Sequence, residues 1–109
     1  METPTREIFE HQELLDFVMA QPPDRKFDMQ RSTAVPGQCG CVLIQFARHK
    51  FGSEDEYGDA GYSVASISGK KSYVSADRTA TDKLIGALYR SGLHTYGEVQ
   101  DRLRRTGNA

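Results

Sequence analysis

The stretch from Cys39 to His49, CGCVLIQFARH, constrains the fold more than any other, because apolar side chains fall on nearly every face of it. A segment without a polar face belongs in the middle of a molecule, with other elements packed around it. Such a run is either a central strand or a buried helix. Its length of about ten residues, the alanine at Ala47 and the basic end Arg48-His49-Lys50 favour a helix. Pro36-Gly37 marks a turn before it, and Phe51-Gly52 ends it.

The rest of the chain supplies the cover. Thr5 to Ala20 places Ile8, His11, Leu15 and Val18 at helical spacing, with Phe9 and Met19 widening the stripe. Thr5 is a candidate cap, and Gln21-Pro22-Pro23 stops the helix, since proline lacks a donor N–H and restricts the residue before it. In the bridge Lys26 to Gln30, Phe27 and Met29 are expected to plug into the core while Asp28 faces water or caps a turn. Tyr62 to Ile67 alternates in the manner of a strand, and Lys71 to Ser75, after Ser68-Gly69-Lys70, offers a second strand to make a hairpin. Asp77 to Arg90 returns to helical spacing, with Ala80, Leu84, Ala87 and Leu88 as its stripe. Asp77 or Thr79 caps it, Ser91-Gly92 stops it, and Gly86 inside it hints at close backbone packing. Thr95 and Glu98 have capping-box spacing at the start of a last helix, whose Tyr96, Val99 and Leu103 face one way. Together these elements predict an α+β fold. It is a mostly helical single domain over residues 1–109, with about four helices and a small antiparallel β-hairpin.

The cysteines invite a chemical reading that their spacing discourages. Side chains at i and i+2 diverge on a helix, so Cys39 and Cys41 do not form a cooperating dithiol there. Cys41 and His49 on one helix stand about 12 Å apart along its axis, too far for a thiol and its base. Zinc would need two further ligands, and His11, His49 and His94 show no local pair at a recognised spacing. We therefore expect no catalytic residue, cofactor or metal, with the cysteines as core residues at a helix entrance. A thiol- or metal-dependent enzyme stays open as a minor alternative. Nothing in the chain resembles a membrane span or a secretory leader, and two cysteines at i and i+2, which cannot staple distant segments, suit a reducing cytoplasm.

Charge divides along the chain. Residues 1–60 carry eleven carboxylates against six Lys and Arg side chains, and residues 61–109 carry four against eight. Glu54, Asp55, Glu56 and Asp59, with Tyr57 among them, form the most function-like surface feature of the sequence. An acidic loop of this kind can meet a basic protein surface, with the tyrosine adding contact area that carboxylates lack. The alternative is nucleic-acid contact through Lys70, Lys71, Arg90, Arg102, Arg104 and Arg105, although aromatic side chains for stacking are few. A homo-oligomeric surface is also open.

Three of these segments carry a resemblance. Phe27-Asp28-Met29, the Cys39-Gly40 pair opening an apolar helix, and a C-terminal helix starting at Thr95 resemble a loose group of small uncharacterised proteins from phages and mobile elements. The chain departs from that group at Ile44, Gln45 and Phe46, where small residues are expected, and at Cys41, which falls early. The resemblance implies an α-rich fold and a mobile-element setting, and it transfers no catalytic residue. In such a setting the acidic loop suggests an inhibitor of anti-CRISPR type, whose carboxylates replace phosphates in the basic groove of a nucleic-acid-handling host complex.

Overall fold

The computed structural model describes residues 5–30, 33–34, 40–51, 56–59 and 62–106. In chain order the elements are β1 (Thr5–Phe9), α1 (His11–Ala20), β2 (Thr33–Ala34), α2 (Val42–Phe51), β3 (Tyr57–Asp59), β4 (Ser63–Ser66), β5 (Lys71–Ser75), α3 (Arg78–Ser91) and α4 (Tyr96–Thr106). Among the described residues the fold is α+β, with four helices and a mixed sheet ordered β1-β5-β4-β3-β2. The expected hairpin is its centre: β4 and β5 pair antiparallel, turning at Gly69, whose φ of 78° suits a residue without Cβ. No helix among the described residues is long and apolar enough to cross a membrane.

α2 lies where its composition sends it. Cys41, Val42, Leu43, Ile44, Phe46 and Ala47 are all buried, and even Gln45 is nearly inaccessible. It packs against α1, β3 and β4. Phe9, Tyr57, Val64 and Tyr73 meet it from the sheet, and Phe17 and Tyr96 extend the core toward α1 and α4. Phe27 is buried and Met29 packs at the core's margin. Asp28 accepts the N–H of Gln30 at 2.9 Å, the local cap expected of it.

The first expected helix needs correction. Thr5–Phe9 is a strand, paired parallel with β5 so that Ile8 lies opposite Val74 and Phe9 opposite Ser75. Only α1 is helical, and it starts after Glu10, not Thr5. Glu10 donates its N–H to the Glu13 carboxylate at 2.8 Å, which holds the new helix start and keeps that carboxyl below its usual range. The helical stripe through Ile8 was misleading because that side chain is 69% exposed on the outer face of the sheet.

The C-terminal half follows its local signals. Asp77 caps α3 by accepting the N–H of Ala80 at 3.0 Å, and Gly92 ends it with a φ of 70°. Glu98 accepts the N–H of Thr95 at 3.1 Å and returns its own N–H to the threonine hydroxyl at 3.4 Å. The hint at Gly86 is not met: a Cβ there would approach only the Arg90 guanidinium, at 3.3 Å. The close approach is at Gly97, where a Cβ would lie 2.9 Å from the Pro23 carbonyl.

Residues 23–27 and 94–97 run beside each other and exchange backbone bonds. Phe27 donates to His94, Tyr96 to Arg25 and Gly97 to Pro23, at 3.0, 3.0 and 2.9 Å. This ladder sets the start of α4 against the end of α1. Gln100 completes the joint, since its amide donates to the Val18 and Gln21 carbonyls at 2.9 Å each. It thereby satisfies helix-end acceptors that Pro22 and Pro23 cannot extend.

Candidate functional site

With α4 held against α1, and α3 running alongside, the three helices leave a groove of about 440 Å³. Its floor is Leu15, Leu84, Leu88, Val99 and Leu103, with Ala80 and Ala87 as small residues along one wall. Three ionisable groups line it: His11 from the first turn of α1, Lys83 from α3 and Arg102 from α4. No carboxylate lines it among the described residues, and neither Lys83 nor Arg102 takes part in an ion pair among them. An apolar floor whose described ionisable groups are cationic or imidazole is complementary to an apolar surface bearing negative charge.

His11 is tied to the fold from below. Its Nδ1 lies 2.9 Å from the Thr81 hydroxyl, which lies 2.6 Å from the Ser75 hydroxyl. Thr81 and Ser75 are buried, so neither hydroxyl is accessible as a nucleophile. Burial lowers the pKa of His11 below its usual value, against a smaller upward pull from the Asp77 carboxylate. In the free protein the imidazole is therefore neutral at physiological pH.

Of the sequence-derived acidic feature, Glu56, Tyr57 and Asp59 are described. Glu54 and Asp55 lie outside the described residues, and Glu56 is exposed. Tyr57 is the correction: it belongs to β3, and its ring is fully buried in the core, so it adds no area to a surface. Asp59 is half-buried and accepts the Cys41 thiol at 3.3 Å. Burial first, and the Asp59 charge second, push that thiol far above its ordinary range, so Cys41 is held as a thiol and not as a nucleophilic thiolate. Cys39 lies outside the described residues.

The basic residues also separate. Lys70 and Lys71 stand at the β4–β5 turn, and Arg90 lines a different concavity with Asp59 and Asp82. Arg105 pairs with Asp101 on α4, Arg104 is exposed nearby, and only Arg102 reaches the groove. Sequence reasoning missed the grouping of His11, Lys83 and Arg102. The available signal was the apolar stripe of α3, of which Leu84 and Ala87 remain only half covered. No family model, curated protein or solved structure matches this chain.

Proposed function

We propose that this protein is a binding module for another protein, and that it takes an acidic, apolar segment of its partner into the groove between α1, α3 and α4. The observation that carries this reading is the lining itself: a leucine- and valine-floored concavity whose ionisable groups are His11, Lys83 and Arg102, with no described carboxylate among them. A short amphipathic helix is the natural occupant, setting apolar side chains at i, i+3, i+4 and i+7 on the floor and Asp or Glu beside them at the rim. The excess of Lys and Arg in residues 61–109 would steer such a partner during approach. A reducing cytoplasm remains the setting that goes with the reading, and a partner from a host defence complex remains one identity for the occupant.

The test compares two reversals of charge. Affinity capture with the wild-type chain is set against the Lys83→Glu/Arg102→Glu variant and against a variant with Glu54, Asp55, Glu56 and Asp59 neutralised. Loss of a captured partner with the first variant and retention with the second supports the groove. The reverse pattern would return the function to the acidic segment.

A further inference from the structure

The hydrogen bonds beneath His11 run in one direction. The Asp77 carbonyl can only accept, so the Ser75 hydroxyl 3.0 Å away gives it its proton, while Ser75 Oγ accepts the Asp77 N–H at 3.2 Å. Having used its proton, Ser75 receives that of Thr81 across 2.6 Å. Thr81 in turn receives a proton from His11 Nδ1 across 2.9 Å. Of the two directions these contacts allow, this is the one that makes all three of them hydrogen bonds; in the reverse direction the Asp77 carbonyl would keep only the Thr81 N–H, at 3.1 Å. It fixes the neutral ring as the Nδ1–H tautomer. Nε2, on the opposite side of the ring, then holds a lone pair, and His11 lines the groove with Lys83 and Arg102.

Resting on the groove reading above, we propose that a carboxylate of the bound segment docks on His11 Nε2, and that the ring takes one proton from solvent as it does so. The new Nε2–H donates to the carboxylate oxygen, giving a charge-assisted bond. Thr81 needs no rearrangement, because it already accepts from Nδ1–H in the neutral state and continues to do so in the imidazolium. The charges around the ring are accounted for from each element that faces it. Asp77 at the start of α3 favours the proton and burial opposes it, Lys83 on α3 and Arg102 on α4 are the cations lining the same groove, and Ser75 from β5 and Leu15 from α1 are neutral. In the free protein burial outweighs Asp77 and the ring is neutral; the incoming carboxylate supplies the missing negative charge. Because the bound ring holds its proton to higher pH than the free ring, affinity increases as pH falls toward 6. It declines again only near the carboxylate range, about pH 4.

The experiment uses the full chain and a synthetic amphipathic peptide of about eighteen residues, with Leu at i, i+3, i+4 and i+7 and Glu beside them. Titration calorimetry at pH 8, 7 and 6, in buffers of different ionisation enthalpy, is expected to show uptake approaching one proton, with Kd tightening by up to about tenfold per pH unit. His11→Gln, which keeps a donor toward Thr81, should bind the peptide several-fold more weakly than the wild type at pH 6 and show no pH dependence. Nitrogen NMR of the free protein should find the proton on Nδ1; a proton on Nε2 would overturn the inference directly. Peptide binding that is lost in Lys83→Glu/Arg102→Glu yet indifferent to pH and to His11→Gln overturns it while leaving the groove reading intact. No peptide binding at any pH overturns both.

Discussion

Two polar networks are built into the apolar interior, and they end differently. The first is closed. Tyr96 donates its hydroxyl to Gln45 Oε1 at 2.8 Å, and Gln45 gives its amide hydrogens to the Lys26 and Gly40 carbonyls at 3.0 and 3.1 Å. Both hydrogens and the oxygen of that amide have partners, and both side chains are buried. The second network passes from Asp77 through Ser75 and Thr81 and ends on a half-buried imidazole at the groove. A closed network ties elements together; an open one also carries hydrogen-bonding capacity to a surface where another molecule can meet it.

The contrast yields ordered predictions. Gln45→Leu is the most damaging, since it removes an acceptor from the Tyr96 hydroxyl and a donor from each of two backbone carbonyls, at a cost on the order of 3 kcal/mol in urea unfolding. Tyr96→Phe retains the ring packing against Phe17 and Phe27 and removes one donor, costing about 1–3 kcal/mol by the same measurement. A result no worse than a surface substitution would break the claim that the first network holds the fold.

Thr81→Val keeps the side-chain shape and cuts the second network at its middle, for about 1–2 kcal/mol. It should also release the tautomer preference of His11, visible in its nitrogen chemical shifts. His11→Gln has the smallest effect on the resting protein. Folding lowers the His11 pKa, so the unfolded chain binds this proton more readily. Wild-type stability should therefore be full above about pH 6.5 and decline as pH falls below it, a decline that His11→Gln removes. A wild-type melting profile that shares its slope with the variant between pH 7 and 5 would contradict that assignment.

What could be read from the sequence was local. α2 follows from an apolar run too continuous for a surface, and the ends of α3 and α4 follow from Asp77, Gly92, Thr95 and Glu98, whose caps are made within a few residues. The hairpin follows from alternation in β4 and β5 about Gly69. β1 did not follow, because its strand character comes from pairing with residues more than sixty positions away, while its own spacing suits a helix equally well. β2, Thr33–Ala34, is too short to leave a pattern. Tyr57 looked like a loop aromatic because its neighbours are acidic and glycine-rich, yet pairing with β4 turns its ring into the core. The groove escaped for a different reason. An amphipathic stripe looks the same in sequence whether a neighbour covers it fully or in part, and the cover over Leu84 and Ala87 is decided by where Gln100 and the 23–27 ladder hold α4.

The parallel pairing of β1 with β5 also bears on the birth of the molecule. Residues 5–9 leave the ribosome before residues 71–75, their only described strand partner, so they must wait for more than sixty further residues before they can pair. During that interval Ile8 and Phe9 are an unpaired edge, and the arrival of Lys71–Ser75 converts a nascent chain into a sheet. Chains arrested before that point should remain sensitive to protease, and resistance should rise steeply once β5 is free to pair.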